Sequence, residues 1–282
     1  MFSLFFYEAE GEPPTALADL VDLLDDLPGI TWEAPPGSVY RPARWRDPAT
    51  GARATWDVGQ PPLHAEPGAG GDEPPRTYSG WRHVPLACSI PLVGPHWLAV
   101  TALAQVAKLL AAAPHLVPLD LEDTRKDGES DAGPFPFDRP RTIASWEHQR
   151  EDAITGLNLP RLDRRASLAL WRYRVERMIA RAAHPTHHWP EGLALLDRET
   201  QTVRTACLWT DPEEPFVLPP VELIVVRGEV VPADELRLLT SADAPGGARV
   251  LDPAPAVTAF YRGAKTLPTA RFQGLGDEDW ID

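Results

Sequence analysis

The sequence predicts an α+β fold, and three observations carry that expectation. Short runs of apolar–polar alternation occur toward both ends of the chain, longer stretches between them hold apolar residues at helical spacing, and a strand–helix–strand order occurs twice in the first half. The first such run is FSLFFYEAE, a break from Gly11 to Pro14, and ALADLVDLLDDLPGIT. The second is PLACSIPLV, a break at Gly94 and Pro95, and LAVTALAQVAKLLAAAPHLVPLDL. Laid over one another without gaps, they pair Leu4 with Ile90, Phe6 with Leu92, Leu17 with Leu103, Leu20 with Val106, Leu24 with Leu110, Pro28 with Pro114 and Ile30 with Leu116. That register suggests two βαβ-like units related by internal duplication.

The first helix places Leu17, Leu20, Val21, Leu24 and Leu27 on one face and Asp19, Asp22, Asp25 and Asp26 on the other, so one side belongs in a core and the other in water. The second, at 97–113, has Ala or Leu on nearly every side and is expected to be more deeply buried, sandwiched between a sheet and the rest of the chain. It holds Gln105 and Lys108 between Pro95 and Pro114, and it falls short of the roughly 20 apolar residues a membrane span requires. Between the units, YRPARWRDPATGARATWDV reads as a hairpin turning at Asp47 to Gly51, with Trp45 and Trp56 placed to pair across it. Gln60 to Pro75 is rich in Pro, Gly and acids without periodicity and reads as a loop.

The break from Asp123 to Pro136 is the best boundary, giving an α+β subdomain over 1–125, a linker over 126–140, and a helical pair followed by a β-rich subdomain over 141–282, packed closely on the first. In that second half a helix is expected over Thr142 to Ile154 with Gly156 as its stop. A longer helix follows, on which Leu168, Trp171, Val175, Met178, Ile179 and Ala182 form the stripe expected to face the core, opposite Arg172, Arg174, Glu176, Arg177 and Arg181. Pro185 ends it. LALLDRETQTVRTACLW reads as a hairpin, VELIVV as a strand, VPADELRLL as a short helix begun by Pro232, VTAFYRG as a strand, and DEDWID as an exposed acidic tail. The C-terminal sheets are expected to be mixed or antiparallel.

With 27 Lys and Arg against 41 Asp and Glu, the chain carries a formal charge of −14. Nucleic acid and anionic membrane surfaces are poor partners for it, because affinity for them comes from clustered cations. A basic protein would be steered toward it. Cys88 and Cys207, the only cysteines, sit among apolar neighbours and read as buried, reduced core residues. The start lacks the basic segment of a secretory signal, so cytoplasm is the expected compartment, and a chain rich in Ala, Pro and Arg with three lysines points to a bacterial source.

HPTHHW, at 184–189, is the most suggestive string for chemistry, since His184, His187 and His188 are metal-ligand types at short spacing. Adjacent His187 and His188 point different ways in most backbones, the further donors Asp197, Glu191 and His148 have no diagnostic spacing, and neither HExxH nor CxxC occurs. A histidine at a helix end also stabilises the carbonyl terminus. Cysteine catalysis through Cys88 with His83 or His96 is disfavoured by the apolar run that holds the thiol. No GxSxG elbow occurs, and GAGG at 68–71 lacks a following GK[ST]. Arg174, Arg177 and Arg181 read as partners of the protein's own carboxylates. No cofactor is implied. These readings lead to a noncatalytic acidic protein that binds another, basic protein, in the manner of an inhibitor or immunity-type partner. The alternatives are a metal-assisted hydrolase using the His184 to His188 loop, and a scaffold subunit anchored by exposed Trp32, Trp45 and Trp280.

Overall fold

The computed structural model describes residues 1–59, 78–120, 134–210, 216–226, 229–233, 249–251 and 265–282. The chain is of mixed α+β type, with four α-helices and two main sheets among these residues. It divides into two compact units, one formed by residues 1–92 and 96–155, the other by 93–95 and 156–282. The division falls between Thr155 and Gly156, so the helix expected after the linker belongs to the first unit. Arg139 and Pro140, at the end of the expected linker, already lie in that helix, while the loop at 60–75, the GAGG string, most of the linker and the strand at 257–263 lie outside the described residues.

The first unit runs β1 (Phe2–Ala9), α1 (Leu17–Asp25), β2 (Ile30–Trp32), β3 (Tyr40–Arg46), β4 (Arg53–Gly59), β5 (Trp81–Ile90), α2 (His96–Ala112), β6 (Val117–Asp120) and α3 (Arg139–Ile154). Its sheet has the order β2-β3-β4-β5-β1-β6, with every neighbouring pair antiparallel. Each helix crossover therefore joins strands that run the same way but are not neighbours. β1 and β2 are separated by β5, β4 and β3, and β5 and β6 flank β1.

Alternation in the strands builds one buried face. Ile90 pairs with Phe2, Cys88 with Leu4, and Trp56 with Cys88, all of them sealed from solvent. α1 and α2 pack against β4, α1 buries Leu20 and Leu24, and α2 buries a broader face that includes Trp97, Leu103, Gln105 and Val106 while Lys108, Ala111 and Ala112 stay exposed. Among the described residues no helix is long and apolar enough to cross a membrane. α3 packs on α2, starts three residues before the expected point because the Asp138 side chain caps it by accepting from Arg141 N, and sends Trp146 Nε1 to Pro91 O at 3.0 Å.

The hairpin of β3 and β4 forms as its turn residues require. Asp47 Oδ2 accepts from Thr50 N and Oγ1, and Gly51 takes φ +79°. Trp45 and Trp56 are both fully buried but are not opposite one another: Trp45 faces Ala54 and Trp56 faces Ala43, because the loop sets the register two residues away from a direct pair. At the α1–β2 turn, Gly29 has φ +91°, and a Cβ there would lie 2.2 Å from Arg46 O, whose own N–H donates to Gly29 O. Gly29→Ala is expected to destabilise the first unit by about 1–3 kcal/mol through left-handed strain and this backbone clash. An unchanged urea midpoint would refute that.

The second unit runs α4 (Arg164–Ala183), β7 (Gly192–Asp197), β8 (Thr202–Trp209), β9 (Phe216–Leu218), β10 (Leu223–Val226), β11 (Glu229–Pro232), β12 (Arg249–Leu251), a 3-10 turn at Thr269–Arg271, and β13 (Phe272–Leu275). The main sheet has the order β11-β10-β8-β7-β13, with β8 and β10 parallel and the rest antiparallel, and β9 pairs with β12 separately. β7 and β8 are the expected hairpin. Residues 234–239 of the short helix expected from Pro232 lie outside the described residues, and Pro232 itself is a strand residue. It closes β11, opposite Leu223 at the sheet edge, where a residue without an N–H is tolerated.

Two further expectations are corrected here. α4 does not bury its long apolar stripe: its buried residues are Ser167, Leu170, Tyr173, Arg174 and Ala180, while Val175, Met178 and Ile179 are exposed. The helix can come this close to β7 because Gly192 leaves room for Leu170; a Cβ at that position would meet Leu170 Cδ1 at 2.4 Å. Nor is DEDWID a free acidic tail. Trp280 and Ile281 are buried, Ile281 N donates to Pro160 O, Leu162 N donates to Ile281 O, and Asp277 pairs with Arg174 at 2.9 Å.

Candidate functional site

The HPTHHW segment is built by the end of α4. Pro185 cannot continue the helix, so His184 becomes its C-cap and donates its backbone N–H to Ala180 O at 2.8 Å. The chain then turns, with His187 N donating to His184 O at 3.2 Å, and enters a parallel bridge in which Val217 N donates to His188 O at 2.9 Å. Trp189 buries its ring with Tyr173, Ala180 and Val217 and donates Nε1–H to His184 O, while Tyr173 OH reaches Pro190 O at 2.7 Å. These bonds make the segment a latch between α4 and β9.

The imidazoles themselves diverge. The His184 and His187 rings meet edge to face at 5.6 Å, while the His188 ring stacks on Phe216 at 5.8 Å with an interplanar angle of 18°. Of the further donors considered, Asp197 is committed to Arg271 within its own sheet region, and His148 lies in the first unit on an exposed part of α3. Among the described residues, no three His, Cys, Asp or Glu side chains are grouped so as to hold a metal ion.

Cys88 and Cys207 are buried and free, and burial pushes both thiols well above their ordinary range. Neither is therefore poised as a nucleophile, which needs an accessible, electropositive setting. His83 is half-buried between the Phe5 and Tyr7 rings, and its burial lowers its pKa. His96 Nδ1 meets Glu147 of α3 at 3.0 Å.

Sequence reasoning missed one buried polar cluster. Glu8 is 2 % exposed and lies in β1 among apolar residues. Its carboxylate accepts from Thr15 N and Oγ1 and from Arg82 Nε, the last at 2.6 Å, and Thr15 Oγ1 also meets His115 Nε2 at 3.0 Å. Burial alone would raise the carboxyl pKa, but the hydrogen bonds from Thr15 and Arg82 outweigh it and hold it below the ordinary value. The signal was present: alternation through Phe2, Leu4 and Phe6 continues to Glu8 on the same side. The cluster ties the segment before α1 to β1 and β5, a structural task for which the sequence held no partner list.

The acidic face of α1 is formed as expected. Leu20 and Leu24 are fully buried, and Asp19, Asp22, Asp25 and Asp26 are exposed, with exposed Glu10 and Glu12 just ahead. Asp19 and Asp25 also have local work: Asp19 Oδ2 accepts from Ala16 N, and Asp25 Oδ1 accepts from Trp32 Nε1. Of the three tryptophans considered as surface anchors, Trp45 and Trp280 are buried, and Trp32 is half-buried with the Arg41 guanidinium 4.1 Å above its ring. Compared with known proteins, the chain matches no family model, no curated protein and no solved structure.

Proposed function

We propose that this is a noncatalytic, cytoplasmic acidic protein that binds a basic protein partner, in the manner of an inhibitor or immunity-type protein, through the solvent face of α1. The observation that carries the reading is the division of that helix: Leu20 and Leu24 are committed to the core, while Asp19, Asp22, Asp25 and the capping Asp26 are exposed, with no basic residue in the last turn. In a chain of net charge −14 such a face adds to a long-range field that speeds encounter with a cation-rich surface. The metal-assisted hydrolase and scaffold readings have less support, since His188 is turned onto Phe216 and two of the three anchor tryptophans are inside. The same proposal takes the two strand–helix–strand runs as an internal duplication, supported by Pro28 and Pro114, which follow the two helices at equivalent places.

The test is affinity capture from the source cells at low salt, with cross-linking to identify the bound protein. Asp22→Lys together with Asp26→Lys reverses charge without touching the side-chain bonds of Asp19 and Asp25. The variant is expected to weaken capture of a basic partner by roughly 10–100-fold, and raising the salt should release that partner from the parent protein. Binding indifferent to both salt and the double substitution would sink the proposal, as would the absence of any basic partner.

A further inference from the structure

α4 reverses the usual economy of an amphipathic helix. Its twenty residues place Leu168, Trp171, Val175, Met178 and Ala182 in an alternating three–four spacing, the pattern that forms a continuous seam along one side of a helix. That seam faces outward. Leu168 and Trp171 are half-buried, Val175 is 38 % exposed, Met178 50 %, and Ile179, beside the seam, 74 %. The core side is supplied instead by Leu170, Tyr173 and Ala180, and Arg174 is drawn inward by Asp277 and by Gly192 O. Contiguous apolar surface of this kind is uncommon on a protein that does not use it.

The charges flanking the seam indicate what fits it. α4 contains Arg164, Arg165, Arg172, Arg174, Arg177 and Arg181 and a single acid, Glu176, in a chain that is otherwise strongly acidic. On the helical wheel Arg165 and Arg172 fall along one border of the seam and Arg181 along the other, all three exposed. We propose that the outer face of α4 is a docking site for an amphipathic helix of a partner protein whose apolar ridge is bordered by Asp and Glu. The ridge packs on Val175, Met178 and Ile179, and the arginines engage the bordering carboxylates in forked hydrogen bonds.

A second copy of this chain is a poor occupant. Two α4 helices laid together would bring Arg165, Arg172 and Arg181 against their own kind. The acid-rich helix α1 buries Leu20 and Leu24 in its own unit and so has no apolar ridge to offer. The surface is distinct from the acidic face of α1, and the proposal does not depend on that reading.

The experiment uses the full chain and two synthetic helical peptides of about three heptads, identical in a leucine seam and bordered by Glu in one and Lys in the other. Binding is followed by fluorescence anisotropy of the labelled peptide at low salt. The Glu-bordered peptide is expected to bind at least about tenfold more tightly than the Lys-bordered one. Ile179→Glu, at a position open to water, should weaken it at least about tenfold with an unchanged melting curve. Arg172→Glu together with Arg181→Glu should narrow or reverse the preference between the peptides. Asp22→Lys with Asp26→Lys should leave peptide binding intact, separating this surface from the one on α1. Equal binding of both peptides, no binding of either, or a concentration-dependent dimer in sedimentation that Ile179→Glu abolishes would each overturn the proposal.

Discussion

Replacing Trp280 by Ala is expected to lower the stability of the second unit by about 3–5 kcal/mol, the range for removing a fully buried indole from a packed site. Trp280 is 0 % exposed, and the residues around it anchor the end of the chain. Ile281 exchanges backbone hydrogen bonds with Pro160 and Leu162, Arg161 bridges Ile281 in parallel, and Ser167 Oγ donates to Asp282 Oδ2 at 2.8 Å. The cavity therefore opens where the tail holds the start of α4, and the loss should appear as a lower urea midpoint together with faster amide exchange in the first turns of that helix. A midpoint within error of the parent would show that the tail is dispensable.

Asp197→Asn is expected to cost about 2–3 kcal/mol, because it weakens the charge-assisted bonds that the buried carboxylate accepts and leaves Arg271 with only the more exposed Glu199 as counter-ion, at 2.7 Å. Asp197 is 1 % exposed at the end of β7. It accepts from Arg271 Nε at 2.7 Å, from Arg271 Nη2, and from the backbone N–H groups of Glu199 and Thr200, so one carboxylate holds both the β7–β8 turn and the entry to β13. The Arg271 bonds, reinforced by those N–H groups, hold its carboxyl well below the ordinary value of 3.8. With the folded-state pKa depressed, the stabilisation is fully present above the unfolded value and is lost as pH falls below it toward the folded one. The stability difference between parent and variant should thus be constant near neutrality and shrink below about pH 4. Parallel acid curves down to pH 2 would place the effect elsewhere.

Much of the first unit could be read directly from the chain. The β3–β4 hairpin follows from Asp47, Thr50 and Gly51, whose side chain and φ requirement are local properties. The two-sidedness of α1 and the deeper burial of α2 follow from composition at fixed helical spacing. Cys88 lies in an apolar strand run and is buried because of it. Strand order was not legible: the same crossovers are compatible with β2 next to β1, and the chain instead inserts β5, β4 and β3 between them. Nor was the latch role of HPTHHW, which depends on Phe216 and Val217 meeting His188 from beyond the β7–β8 hairpin.

α4 marks the limit most clearly. Helical periodicity correctly grouped Leu168, Trp171, Val175, Met178 and Ile179 on one side, but grouping does not say which side meets the sheet. That choice rests on contacts far away in sequence: Gly192 making room for Leu170, Asp277 neutralising Arg174, and Trp189 returning onto Tyr173. The order of residues determined the class of fold, the helices, the hairpins, the reduced cysteines and the acidic face of α1, because each depends on spacing within one element. Only the tertiary structure decided the sheet orders, the docked tail, the buried carboxylates and the outward apolar seam, because these depend on partners brought together from distant parts of the chain.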